Sequence, residues 1–86
     1  DSCYAAIHQE MGDRAAAVID VPSSRRFIGL ESYRQVLRAD VDVVLLCGYP
    51  GLRPPQLVEA VAAGKHVLAE KPLAVDATGI RACKAA

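Results

Sequence analysis

The chain has 86 residues, ten basic against ten acidic, and is 52% hydrophobic but only 5% aromatic. This length allows one small domain. A net charge of zero argues against an electrostatic surface for nucleic acid or an anionic membrane, and so few aromatic rings argue against base stacking. We therefore expect neither nucleic acid nor membrane as a partner.

The cysteines indicate the redox setting. Cys3, Cys47 and Cys83 are widely spaced and odd in number, which fits neither a disulfide framework nor a metal site. We expect reduced thiols, no bound metal and a cytoplasmic location, with Cys47 buried at a strand end. No signal peptide or membrane span is visible, and an export signal upstream of Asp1 stays an open alternative.

The first half of the chain is predicted to be mainly helical. Asp1-Ser2 could cap a helix that runs to about Met11, where Gly12-Asp13 marks a stop, and residues 15–20 fit either a continued helix or a short strand. Residues 26–29 look like a short strand ended by glycine. Apolar residues at three-to-four spacing then predict an amphipathic helix over residues 31–39.

The second half reads as a strand, a helix and a second strand. Residues 41–47 are an apolar run that predicts a strand buried on both faces. After a turn at residues 48–51, two prolines mark the start of a helix that ends at Ala63, with Gly64 as its left-handed cap. His66 to Glu70 is the next strand.

A last helix follows, capped by Asp76. Helices alternate with strands that show no two-residue periodicity, and this order is typical of a parallel sheet covered by helices. The predicted fold class is α/β, as an incomplete domain with a partial Rossmann-type, doubly wound parallel sheet.

The carboxyl ends of the two strands are the predicted site of chemistry. Parallel strands joined by a crossover point the same way, so residues 47–50 and 70–72 border one crevice. Gly48 lets the backbone pass close to a ligand, and Pro72 constrains the backbone of Lys71. The Lys71 ammonium would then project from a conformationally restricted backbone. The alternative is a surface lysine before a turn.

Other polar residues are weaker candidates. His66 and Lys65 open their strand, so they belong at the edge opposite the crevice and are expected to be structural. Arg53 could reach a phosphate, but a solvated loop arginine is the preferred interpretation. Tyr49 could line a ligand site or cover its turn, and Glu70 could bind a ligand, hold Lys71 or form an ion pair.

Residues 63–72, AGKHVLAEKP, resemble the hallmark A-G-K-H-V-x-x-E-K-P of the glucose–fructose oxidoreductase/inositol dehydrogenase/MocA (Gfo/Idh/MocA) family. The upstream run DVDVVLL, residues 40–46, lies at the expected distance, and the resemblance covers roughly Gly12 to the end. It implies a dinucleotide-binding domain followed by an open-faced sheet domain. The implied activity is hydride transfer between NAD or NADP and a sugar, cyclitol or related polyol, in a homo-oligomer.

The same resemblance assigns site residues. It implies that Lys71 is catalytic and lies beside the nicotinamide ribose and the substrate hydroxyl. A cation there favours the alkoxide-like charge that develops as hydride leaves. The cofactor-binding residues that it implies are Gly48, Tyr49, Pro50, Glu70, Lys71 and Pro72.

The chain departs from the family pattern in three ways. Gly48 and Tyr49 stand where members usually carry Thr-Pro or Asn-Pro, and a common helix histidine is replaced by Gln56 or a neighbour. No G-x-G-x-x-G motif is present. Residues 1–86 are therefore expected to be a fragment of an NAD(P)-binding Rossmann domain that is inactive alone, without the first strand, the glycine-rich turn and the C-terminal substrate domain. Asp1 could be the ribose-binding acid.

Two alternatives from other classes stay open. One is a non-catalytic dinucleotide-binding regulator or scaffold, which turnover assays with polyols would separate from an enzyme. The remote one is a receiver-type signalling domain, which needs an aspartate directly after the apolar strand, where this chain has Cys47. Phosphorylation by a small phosphodonor would identify a receiver.

Overall fold

A computed structural model describes residues 2–86, with side chains from Tyr4 onward. Within that range the chain forms five α-helices and two β-strands: α1 (Ser2–Met11), α2 (Ala15–Val18), α3 (Ser32–Arg38), β1 (Val43–Leu46), α4 (Arg53–Ala62), β2 (His66–Ala69) and α5 (Ala77–Ala85). Short 3₁₀ turns cover Gly12–Arg14, Ser23–Arg25 and Pro50–Leu52. None of these helices is long and apolar enough to cross a bilayer.

The two strands pair in parallel, as predicted. Val43 lies opposite His66 and Leu46 opposite Ala69, with α4 as the connection between the strands. Parallel pairing needs a crossover of this kind, because a short turn can only return the chain antiparallel. The α/β class with a partial Rossmann-type sheet is confirmed.

The core lies on one face of this sheet. Val44 and Leu46 point into it and pack with Ala60 of α4, which is fully buried, while Leu37 and Leu57 close its sides. Alanine at position 60 lets the helix approach the strands closely, since its side chain is a single methyl group. The core therefore fixes where α4 begins relative to the strand ends.

The prediction that β1 is buried on both faces is wrong. Its side chains alternate, with Val44 only 6% exposed and Leu45 64% exposed. The reason is that α3 and α4 cover the Val44 face, whereas no element within residues 2–86 packs on the other. An apolar sequence permits burial on both faces, but only neighbouring elements can supply it.

The strand predicted over residues 26–29 is also wrong. Arg26 has an extended backbone (φ −112°, ψ 122°), but no strand within the described residues pairs with it. Its Nε instead donates a hydrogen bond to the carbonyl oxygen of Val21 at 2.8 Å, and its guanidinium lies 3.5 Å above the Tyr4 ring. An extended segment becomes a strand only when a ladder partner satisfies its backbone.

The predicted helix ends agree with the structure. Gly12 (φ +60°) follows α1 and Gly64 (φ +74°) follows α4, both in the left-handed region that favours glycine. The Asp76 side chain caps α5 by accepting a hydrogen bond from the Gly79 amide at 2.6 Å. Within the ambiguous stretch 15–20, residues 15–18 form the short helix α2, and Ile19 after it is extended.

An ion cluster joins α3 to α4. Arg34 donates hydrogen bonds to both carboxylate oxygens of Glu59, with Nη2 2.8 Å from Oε1 and Nε 2.9 Å from Oε2, and also bonds Glu31. The Tyr33 hydroxyl lies 3.3 Å from Glu59 Oε1. The Arg34 hydrogen bonds hold the pKa of Glu59 below its ordinary value, and burial, with Glu59 nearby, raises the pKa of Tyr33.

Candidate functional site

The loops that follow β1 and β2 lie at the same edge of the sheet. Residues 47–50 follow β1 and residues 70–72 follow β2. The strand pairing continues to the last residue, because the Glu70 amide donates to the Leu46 carbonyl at 3.0 Å. The parallel geometry thus brings together the two segments in which every predicted site residue lies.

Arg53, the first residue of α4, joins these loops. Its Nη1 donates to the carbonyl oxygens of Glu70 and Pro72, and its Nη2 donates to that of Gly48. The residue is 2% exposed. The preferred prediction of a solvated loop arginine is therefore wrong, because three backbone carbonyls surround the guanidinium and take the place of water.

Sequence reasoning undervalued Arg53 for a physical reason. Most arginines near a turn are solvated, and backbone carbonyls leave no trace in the sequence. One signal was available: Arg53 is the only charged residue between Asp42 and Glu59. A single charge within such an apolar stretch has to be either fully exposed or fully paired.

Lys71 is exposed beside this arrangement. The peptide bond between Lys71 and Pro72 is cis. Within the described residues its ammonium forms no hydrogen bond and no ion pair. Its position at the predicted edge is confirmed, and its catalytic role stays a prediction.

Glu70 supports the backbone rather than the ammonium. Its Oε1 accepts a hydrogen bond from the Lys71 amide at 3.0 Å. Among the described residues the ion pairs that form are those of Arg34, so Glu70 and Lys71 are not paired through their charges. The carboxylate therefore braces the peptide that carries Lys71, and its second oxygen remains available.

The loop after β1 is open on one side. A Cβ atom placed on Gly48 would meet none of the described atoms within 4 Å beyond its chain neighbours, so the space beside the backbone is open there. Tyr49 is 71% exposed, and its ring covers Gly51, where an added Cβ would lie 2.6 Å from the ring. Pro50 then opens the 3₁₀ turn that leads into α4.

Lys65 and His66 lie at the opposite edge, as predicted. Lys65 Nζ donates to the Val41 carbonyl at 2.7 Å, and the His66 amide donates to the Asp42 carbonyl at 2.9 Å. Both contacts are at the amino ends of the strands, away from Lys71. Cys47, in contrast, is exposed at the carboxyl end, which corrects the prediction of a buried thiol, since the strand ends before it.

The residues at this edge are compatible with a bound dinucleotide. The backbone at Gly48 is open, and Lys71 is exposed and forms no hydrogen bond or ion pair through its side chain with the described residues. Within residues 2–86, His, Cys, Asp and Glu do not cluster in a way that could hold a metal ion. Asp1, the candidate ribose-binding acid, lies outside the described residues.

Comparison with known proteins gives one family. Residues 3–86 match the Gfo/Idh/MocA family model, described as an oxidoreductase family with an NAD-binding Rossmann fold. Inositol 2-dehydrogenase from Klebsiella pneumoniae (strain 342) is 32% identical over 69 residues, which cover 80% of this chain and 20% of that protein. Inositol 2-dehydrogenase from Pseudomonas savastanoi pv. phaseolicola is 41% identical over 58 residues, 63% of this chain and 17% of that protein.

The chain thus spans about a fifth of the length of the curated relatives that it matches. No solved structure matches it significantly.

Proposed function

This chain belongs to the Gfo/Idh/MocA oxidoreductase family, and we propose that it is part of an enzyme that transfers hydride between NAD or NADP and a sugar, cyclitol or related polyol. The observation that carries the proposal is that Gly48, whose backbone is open, and Lys71, whose ammonium has no partner among the described residues, lie at the same edge of the sheet. The matched relatives are inositol 2-dehydrogenases, which makes a cyclitol the first substrate to test.

We also propose that the chain is inactive by itself. It spans about a fifth of its relatives, and its sheet within the described residues has two strands. A two-stranded sheet presents only two carboxyl ends, which is a small surface for binding both a dinucleotide and a polyol. Substrate contacts would come from the rest of the whole protein, which we propose to be homo-oligomeric.

The cofactor would be held by residues 48–50 and 70–72. When bound, the nicotinamide ring supplies the acceptor or donor of the hydride. The exposed backbone at Gly48 and the ring of Tyr49 would border the cofactor, while the Glu70 carboxylate and Pro72 would keep the neighbouring peptide in place.

In this proposal, Lys71 is the residue that acts in the hydride-transfer step. Its ammonium would donate a hydrogen bond to the substrate hydroxyl and stabilise the alkoxide-like charge that develops on that oxygen as hydride leaves. The exposed position of the ammonium means that this stabilisation grows when substrate and cofactor exclude water from it, because charge interactions strengthen in a drier environment.

The test uses the whole protein and two lysines of the same strand region. We expect Lys71→Met to lower kcat/KM for a cyclitol by about 100-fold or more, the scale of losing one transition-state donor. NADH affinity, measured by fluorescence titration, should fall far less than turnover, because the other residues of 48–50 and 70–72 would still hold the cofactor. Lys65→Met is the matched control, because Lys65 bonds the Val41 carbonyl at the opposite edge, and its turnover should stay near the parent's.

Parental turnover in Lys71→Met would contradict the catalytic assignment. NADH binding without turnover on a panel of cyclitols and sugars would favour the non-catalytic regulator instead. Lack of NADH and NADPH binding by the whole protein would contradict the proposal altogether.

A further inference from the structure

We propose that Arg53 is a positioning residue. It holds the Gly48 loop and the Lys71 peptide in one fixed arrangement, which sets the position of the Lys71 ammonium relative to a cofactor bound beside the Gly48 loop. The inference rests on the proposed role of Lys71 and adds a residue that acts through it. Arg53 does not reach the open side of the site, since its guanidinium is buried beneath the loops.

The carbonyls that accept hydrogen bonds from Arg53 flank Lys71 on one loop and belong to Gly48 on the other. Nη1 bonds the carbonyls of Glu70 and Pro72, the residues immediately before and after Lys71. Nη2 bonds the carbonyl of Gly48, on the other loop. One rigid guanidinium therefore anchors the backbone on both sides of Lys71 and ties it to the loop that follows β1.

The charge of Arg53 is compensated by backbone carbonyls of the two loops that it joins. Within the described residues no carboxylate pairs with it, so backbone dipoles alone compensate a buried cation. Arg53 is also the first residue of α4, and the amino end of a helix disfavours positive charge. Removing the guanidinium would leave three backbone carbonyls without their donor, so Arg53→Met is also expected to lose stability, and its activity has to be measured on folded protein.

Lysine could not perform the same task. A guanidinium is planar and presents five donors in a fixed fork, whereas an ammonium is a compact point charge on a flexible stem. Carbonyls of Gly48 and of residues 70 and 72 are reached by two different nitrogen atoms of Arg53. A lysine would offer all its donors from one nitrogen atom, so it could not reproduce the two separate donor positions from which Arg53 reaches the two loops.

The experiment is a double-mutant cycle on the whole protein. The variants are Arg53→Met, Lys71→Met and the pair, with Arg53→Lys as the conservative change. Turnover of a cyclitol is measured per NADH-binding site, well below the melting temperature, so that loss of folded protein does not count as loss of activity.

We expect Arg53→Met to lower kcat by about 100-fold, the scale of a misplacement of about 1 Å. In the Lys71→Met background the same change should lower kcat less than about threefold, because a residue that acts through Lys71 has nothing left to position. Arg53→Lys should fold and still lose most of its turnover. If Arg53→Met does not fold, Arg53→Lys alone decides between the outcomes.

Equal loss in both backgrounds, or full turnover in Arg53→Lys, would overturn the proposal. These results differ from failure of the proposed function. If the proposed function fails, the parent protein itself binds neither NADH nor NADPH or turns over none of the cyclitols and sugars; if only the Lys71 assignment fails, Lys71→Met keeps parental turnover.

Discussion

Alanine substitutions at two glycines, Gly64 and Gly48, should affect the stability of the fold and the binding of the cofactor separately. Gly64 lies at φ +74°, so alanine there costs about 1–2 kcal/mol for the left-handed backbone, offset by about 0.4–1 kcal/mol from a less flexible unfolded chain. The added methyl group meets nothing within 4 Å, so no steric cost is added. Gly64→Ala should therefore lose about 1 kcal/mol of stability, with unchanged cofactor binding.

Gly48→Ala should show the opposite behaviour. Gly48 is not in the positive φ region and its new methyl group would also meet no protein atom, so stability should change by less than about 0.5 kcal/mol. The proposed cofactor site occupies that space, and overpacking costs about 1–3 kcal/mol. Since about 1.4 kcal/mol is tenfold in affinity, we expect NADH to bind roughly tenfold more weakly.

The assay compares both variants with the parent in the whole protein, by urea unfolding followed by circular dichroism and by NADH fluorescence titration. Parental NADH affinity in Gly48→Ala would refute the placement of the cofactor beside this loop. An unfolding midpoint of Gly64→Ala equal to that of the parent would refute the conformational cost assigned to residue 64.

Two further predictions concern the elements that frame the site. The folded-state pKa of Glu59 is lowered by its hydrogen bonds to Arg34, so this stabilisation is fully present above the ordinary pKa and is lost as pH falls through the folded value. Glu59→Gln should therefore flatten the acid limb of a plot of urea midpoint against pH, and an unchanged limb would contradict the assignment. Asp76→Ala should cost about 1 kcal/mol, because it removes the cap on the Gly79 amide. Asp76→Asn is its control, and equal losses in both would argue against the cap.

The local elements around the site were predictable because their signals are local. Gly64 ends α4 since a left-handed residue favours glycine, and Asp76 caps α5 since its side chain reaches an amide three residues on. The helix that begins at Arg53 follows from the prolines after it. The strand–helix–strand order then made parallel pairing the expected arrangement.

The predictions that failed depended on contacts with neighbours that are distant in sequence. Arg26 is extended but pairs with no strand among the described residues, and Leu45 is exposed because no described element covers it. Cys47 lies just past the end of β1 and is exposed, although its apolar context predicted burial. Each error assumed a contact that composition allows but only packing provides.

The sequence by itself determined the order of elements, the two loops that follow the strands and the family hallmark that ends in Glu70, Lys71 and Pro72. Only the tertiary structure decided what joins those loops, namely the Arg53 guanidinium bound to carbonyls 5, 17 and 19 residues away. Every residue contributes the same backbone carbonyl group, whatever its side chain. A sequence therefore cannot mark which carbonyls will accept hydrogen bonds from a buried charge. Folding makes that choice when it brings the ends of parallel strands together.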